Sequence, residues 1–216
     1  KVGGAVQTDA GKFGKGFAFD GDGDWVDMGN DASLDFNTTF TVSSWVNSKG
    51  GNWKRVLGKG GQVDALGGFE LATGSSAEDK FIFRISNTTA SPYLETTNTY
   101  TLNNWHQVVG QWNGTDMLIY VDGVFDSSKA QATYSNTSTS YNLRIGRNAV
   151  PSYQYFNGSI DDVMIFNRTL SADEILGLYN ATRVSHSETG LAEGSHTFDA
   201  YAQDLAGNVV LDGKSF

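Results

Sequence analysis

The chain has 216 residues, a formal net charge of -9 and a sequence pI near 4.6, an acidity that excludes nucleic acid and anionic membrane as partners, since either needs a basic face to displace counterions. Its 39% hydrophobic and 12% aromatic residues supply a core for one large domain without staples, and zero cysteines exclude disulfides, thiolate metal sites and cysteine nucleophiles. No run approaches the length of a membrane span, no signal peptide or lipidation signal is visible, and the start at Lys1 without an initiator methionine leads us to expect a processed or excised piece.

Taken in chain order, the dominant signal is period-two alternation bounded by Gly, Asn and Asp, the pattern of antiparallel strands. It recurs in GFAFD (16–20), FTVSSWVN (40–47), GFELA (68–72), KFIFRIS (80–86) and WHQVVGQWN (105–113). Asn113-Gly114 and Asp122-Gly123 then separate alternating runs. Both dipeptides tolerate positive φ, which predicts a three-strand meander from Trp105 to Phe125. Pro92 and Pro151 fall in polar segments where neither interrupts a central ladder. Ser171 and Glu174 form a capping box, with Leu170 and Ile175 spaced as a hydrophobic staple, so a short helix is predicted from about Ala172 to Asn180. Many strands with one late helix define an all-β fold, a two-sheet antiparallel sandwich, rather than an α/β enzyme.

Seven N-x-[ST] sequons begin at Asn37, Asn87, Asn113, Asn136, Asn157, Asn167 and Asn180. An Asn- and Thr-rich chain generates some triplets by chance, but seven lead us to expect a glycosylated surface on a secreted or cell-surface protein.

Four blocks occur in a recognisable order: GKFGKGFAFDGDGDWVDMGN (11–30), FTVSSWVN (40–47), NNWHQVVGQWNGTDMLIYVDGV (103–124), and IGRN (145–148) followed by YFNGSIDDVMIFNRTLSADEILGLY (155–179). Together they resemble a laminin G-like domain of the concanavalin A-like lectin and glucanase superfamily. The resemblance implies a jelly roll of two curved antiparallel sheets over residues 1–183, in a superfamily of lectins, carbohydrate-binding modules, adhesion domains and glycosidases. Residues 184–216 resemble the closing strands of a prokaryotic Ig-like surface repeat, with Asp204 to Asn208 as the turn, which implies a linker and partial Ig-like strands in an archaeal or bacterial surface protein.

The resemblance also implies a structural calcium ion between an early strand and the last one. The early segment offers Asp20, Asp22 and Asp24, and the late one Asp161 and Asp162. Calcium takes about 6–8 oxygen ligands, and the expected carboxylates are Asp20, Asp22 and Asp161, with Asp162 in reserve and Gly21 and Gly23 turning carbonyls inward. The alternative is that DGDGD is a polar turn and that one Asp faces solvent. An EF-hand is excluded, because the sixth position from Asp20 is Trp25 and the twelfth is Asp31.

A glucanase of this superfamily needs two carboxylates on one strand face. None of Glu70, Glu78, Glu95, Glu174, Glu188 and Glu193 has an Asp two residues on, and His106, His186 and His196 are scattered without a visible triad. No catalytic residue is therefore assigned. Sugar sites in such folds use an aromatic platform with polar side chains around it. Candidate ligand-binding residues are Trp53, Tyr93, Tyr153 and Tyr155, with Tyr134 beside them, in or near rim loops 52–55 and 151–156. Trp25, Trp45, Trp105 and Trp112 are assigned to sheet packing. The expected function is a non-catalytic extracellular recognition or adhesion module whose partner is a glycan or a cell-surface protein. The rival is a structural surface domain. Relatives begin with an additional strand, whereas only KVGGAVQTDA precedes the first matched block, so a vacant sheet edge and a spare terminal strand lead us to expect β-strand complementation, from a neighbouring domain of a longer polypeptide or from a second copy in a homo-polymer, with an excised piece of a tandem-repeat protein as the alternative.

Overall fold

The computed structural model describes residues 3–36, 38–60, 67–75, 77, 79–86, 91–130, 140–148, 154–181, 197–203 and 209–215, in two compact units divided between Arg183 and Val184. The first unit contains β1 (Val6–Gly11), β2 (Gly14–Asp20), β3 (Val26–Gly29), β4 (Phe40–Ser48), β5 (Arg55–Gly60), β6 (Gly68–Thr73), β7 (Phe81–Ser86), β8 (Tyr93–Glu95), β9 (Trp105–Trp112), β10 (Asp116–Val121), β11 (Val124–Ala130), β12 (Leu143–Ile145), β13 (Asn157–Phe166) and one helix, α1 (Ala172–Ala181). They form a seven-stranded sheet ordered β1-β2-β13-β4-β9-β10-β11 and a six-stranded sheet ordered β3-β12-β5-β6-β7-β8. Every neighbouring pair is antiparallel, and the two sheets make a jelly-roll sandwich. β1 pairs with β2 through Val6↔Ala18, Gln7↔Phe17 and Thr8↔Gly16.

The core lies between the sheets. Val42, Val46, Val108, Trp112 and Ile119 come from one side and Leu57, Phe69, Leu71, Phe83 and Ile85 from the other. Each such side chain contributes roughly 1.5–3 kcal/mol when fully buried. Phe36, Phe40, Phe69 and Phe83 form a chain of rings with centroids 5.1–6.0 Å apart. The packing leaves no space above Gly110, where a Cβ would lie 2.3 Å from Phe83 Cδ2. The expected meander is β9, β10 and β11, and its second turn has positive φ at both Asp122 and Gly123, the twist that matches a hairpin.

The outer face of the seven-stranded sheet is covered by α1 and by the β1–β2 hairpin. Ser171 N donates to Glu174 Oε2 at 2.8 Å and Glu174 N to Ser171 Oγ at 3.2 Å, the reciprocal capping box read from the sequence. Leu170 and Ile175 pack on Val109 and Tyr120. Trp45, on the same outer face, is stacked on Tyr179 at 5.5 Å and met edge-on by Phe13 at 5.7 Å, with Lys12 Nζ 4.3 Å from a Trp45 ring centroid.

The second unit is a two-stranded antiparallel hairpin, β14 (Thr197–Gln203) with β15 (Val209–Ser215), in register from Thr197↔Ser215 to Gln203↔Val209. The expected Asp204–Asn208 turn lies outside the described residues.

At one side of the sandwich the edge strands β11 and β8 are joined through Asp126. Its carboxylate accepts from Thr97 N, Thr97 Oγ1, Asn98 N, Asn98 Nδ2 and Tyr100 OH at 2.6–3.2 Å. Burial pushes this carboxyl up, but the donors outweigh it and hold the pKa at about 2. The folded value lies below the usual one of about 3.9, so the stabilisation is present above that value and lost as pH falls through about 2. Asp126→Asn is expected to lower the melting temperature near neutral pH by about 3 °C. It should also flatten the acid limb of the stability profile. Melts across that range check both, and an acid limb identical to that of the parent chain would contradict the assignment.

Candidate functional site

Cross-strand register places Asp27, Arg144, Gly58, Glu70, Arg84 and Tyr93 in one row across the six-stranded sheet. Residues so paired share a face, and the adjacent row of Leu57, Leu71 and Phe83 points into the core, so this row lies on the outer face. At about 4.8 Å per strand it spans roughly 24 Å. A bulge between Arg55 and Leu57 inserts one residue and brings Arg55 to the same side. Arg55, Glu70 and Arg84 are all buried, at 0%, 3% and 5% exposure. The Glu70 carboxylate lies between the two guanidiniums, with Oε2 2.8 Å from Arg55 Nε and Oε1 2.7 Å from Arg84 Nε.

Aromatic rings lie over these cations. Trp53 has positive φ, and its carbonyl accepts from Arg55 Nη1 at 2.6 Å. Its ring is 4.9 Å from Arg84 Cζ and 5.5 Å from Arg55 Cζ. Tyr93 lies 5.3 Å from the same Arg84 and meets Trp53 at 5.1 Å and 77°. The two rings make a corner with a guanidinium against each. Lys129 Nζ is 5.7 Å from the Tyr93 ring and donates to Tyr93 O. At the other end Trp25 is flanked by Arg144 at 5.0 Å and Arg147 at 5.6 Å, and Arg147 is 5.3 Å from Tyr155. Arg144 Nε lies 3.7 Å from Asp27, whose two oxygens accept from Asn142 Nδ2. Burial raises the Asp27 pKa, and the Asn142, Gly29 and Arg144 contacts more than offset it, leaving a lowered value.

Trp53, Tyr93 and Tyr155 therefore belong to one face, whereas Tyr134 and Tyr153 lie outside the described residues. Trp25, read as a sheet-packing residue, is half-buried on this face. Arg84 and Arg144 carried no sequence signal, because cross-strand register brings them into the row.

The expected grouping of Asp20, Asp22 and Asp161 falls at two places along β13. Asp20 pairs with Asn157 in the β2–β13 ladder, and Asp161 lies four residues further along β13, about 13 Å away. Asp161 is committed elsewhere: Oδ2 accepts from Phe13 N at 3.0 Å and Oδ1 from Asp162 N at 2.9 Å. Gly11 and Gly16 make room for it, and a Cβ at Gly11 would come within 2.7 Å of Oδ2. The early turn is closed on itself, with Asp22 N donating to Asp20 Oδ1 and Asp20 N to Asp24 Oδ2. Asp162 occupies a bulge with φ 45°, and its pKa is raised by burial and by the Asp161 charge. Among the described residues no three acidic, His or Cys side chains gather as a metal site, so these residues do not fit a calcium ion bridging the two strands. Asp161 instead fastens the tip of the first hairpin.

His106 has a carboxylate neighbour that the sequence did not reveal. Its Nδ1 is 2.8 Å from Asp122 Oδ2, and its Nε2 is 3.1 Å from Thr101 O and 3.4 Å from Thr101 Oγ1. Burial opposes the charged ring, and the Asp122 contact outweighs it to raise the pKa. With Nε2–H donating to a carbonyl, the ring is not disposed to take the Thr101 proton. The Glu70 carboxylate is likewise enclosed by guanidiniums.

Sequon residues Asn113, Asn167 and Asn180 are exposed, whereas Asn157 is half-buried within β13, its Cβ 3.1 Å from where a Gly21 Cβ would stand. Asn37, Asn87 and Asn136 lie outside the described residues.

Two facing antiparallel sheets, with rings and fixed polar groups on one outer face, define the class of lectin-like β-sandwich. The chain belongs to the concanavalin A-like lectin/glucanase superfamily, whose family model matches residues 20–176. Curated proteins yield no match. Among solved structures, domain 4 of the GH43 extracellular arabinanase AbnA from Geobacillus stearothermophilus, in complex with arabinotriose, has a TM-score of 0.65 at 16% identity over 82% of each chain. The CBM40 of a Ruminococcus gnavus IT-sialidase, bound to α2,3-sialyllactose, has a TM-score of 0.63 at 16% identity over 81% of this chain and 98% of that one. The binding domain of Paraclostridial Mosquitocidal Protein 1 has a TM-score of 0.69 at 14% identity, covering 98% of this chain and 57% of that one. At these identities the likeness is one of fold.

Asp161→Ala releases the hairpin tip and is expected to lower the melting temperature by about 3 °C or more, since a charge-assisted contact is lost. The loss should be equal in calcium and in chelator. A loss seen only with calcium present would restore the metal-bridging role.

Proposed function

We propose that this chain is a non-catalytic glycan-recognition module whose sugar platform is the Trp53–Tyr93 corner. The observation that carries the reading is the corner itself. One ring is 38% exposed at Tyr93 and the other is half-buried at right angles to it, and both rest on a buried, ion-paired arginine. A sugar presents an apolar face that packs on a ring and hydroxyls that bond to polar groups at its rim. Asn52 and Lys129 stand beside the corner to supply them. The sugar ligands of the arabinanase domain and of the CBM40 support the same reading.

The module would work outside the cell or at its surface, as the extracellular arabinanase does. No helix among the described residues is long and apolar enough to cross a membrane. Exposed Asn113, Asn167 and Asn180 would accept glycan in a glycosylating host while Asn157 would not, which intact mass before and after deglycosylation measures.

A glycan array carrying neutral and acidic oligosaccharides tests the central claim. Binding is expected, with Tyr93→Ala and Trp53→Ala each lowering affinity about tenfold, the loss of one stacked ring. Circular dichroism checks that the variants are folded. No binding across the array, or binding unchanged by both variants, would refute the proposal.

A further inference from the structure

The sequence contains six arginines, Arg55, Arg84, Arg144, Arg147, Arg168 and Arg183. Four of them gather on the outer face of the six-stranded sheet, in a chain whose formal charge is -9. Among the described residues the ion pairs of these four run to Glu70 and Asp27, which leaves the group cationic on an acidic molecule. Arg55 and Arg84 are buried and serve as foundations for the rings. Arg144 and Arg147 are half-buried at the opposite end.

The guanidinium of Arg147 stands by the rings of Trp25 and Tyr155, at 5.6 and 5.3 Å, and among the described residues its only hydrogen bond runs from Nε to Asn148 O at 3.0 Å. Arg144 lies 5.0 Å from the same Trp25 ring, and the Asp27 carboxylate beside it is bonded to Asn142 Nδ2 and Gly29 N. The Arg147 guanidinium, held beside two rings with its Nη groups uncommitted among the described residues, offers paired N–H groups to a planar anion. A neutral glycan uses hydroxyl partners and has no need of a cation there.

Resting on the reading of this face as a glycan platform, we propose that its Trp25–Arg144–Arg147–Tyr155 end binds the carboxylate of an acidic sugar, a uronate or a sialate. The ligand class of the module is then acidic oligosaccharide, with the charge at this end and a stacked ring at the Trp53–Tyr93 end.

The test is calorimetric titration of the full chain with two matched pairs: trigalacturonate against its methyl ester, and α2,3-sialyllactose against lactose. In at least one pair the acid is expected to bind tenfold or more tightly than its neutral partner, with affinity falling as salt rises. Arg147→Gln should collapse that acid-to-neutral ratio towards one while the melting temperature stays within about 2 °C, a surface-sized effect. A neutral partner bound as tightly as its acid, or a ratio unmoved in Arg147→Gln, overturns the acidic-sugar assignment and leaves the glycan platform standing. Absence of binding to all four probes overturns it as well, and only an equally blank array result would take the platform reading with it.

Discussion

The outer face of the six-stranded sheet depends on one buried carboxylate. Glu70 is held between Arg55 and Arg84 with none of the three exposed by more than 5%. Taking an ionised group out of water costs several kcal/mol even after relaxation, and the cost is met only when partners sit at contact distance. Each member therefore requires the other two. Without Glu70, two guanidiniums would confront each other in a dry environment. The triad crosses β5, β6 and β7, and both arginines contact the Trp53 ring, so the interaction that joins the strands also positions the aromatic corner. A neutral, well-packed substitute could match its stability but would not hold the rings at the same angle.

The two outer faces are covered by different means. On the seven-stranded sheet, α1 and the first hairpin close over Trp45, and the strand beneath them, β4, is buried along nearly its whole length. Asp161 makes that closure durable by holding Phe13 N. Asp161, midway along β13, thus serves a lid of protein, on the face away from the rings. On the six-stranded sheet β5, β6 and β7 are buried along their whole length, and Trp53 and Tyr93 lie over their arginines.

Much of the architecture was legible because its signals are local. The capping box of Ser171 and Glu174, the turns at Asn113-Gly114 and Asp122-Gly123, and five alternating strands depend on neighbours a few residues away. Strand β5 was not legible, since RVLGKG has two glycines and two charges. It becomes a buried strand only because Arg55 meets Glu70, while Lys59 meets Asp35 and Asn30. The three-residue strands β8 and β12 are too short for a period to show. At the site, the aromatic residues stood out by type, but their arginine partners did not, because a cation over a ring is a product of register. The expected metal set was drawn from the order of segments, whereas the ladder separates Asp20 from Asp161 by four residues.

Strand β13 lies inside the seven-stranded sheet, between β2 and β4. Its partners are translated long before it, and the register Ile160↔Phe17 and Ile160↔Val46 joins residues more than a hundred positions apart. On the ribosome, β4 must wait with one unpaired edge until residue 166 has emerged. At a synthesis rate of about 5–20 residues per second, that interval is roughly 6–24 s. Non-local pairing of this kind is slow to form, and an open apolar edge is a template for other chains while it lasts. The position of one strand in the sheet thus sets a period of exposure in the life of each nascent chain, during which a chaperone or a fast export route has the most to contribute.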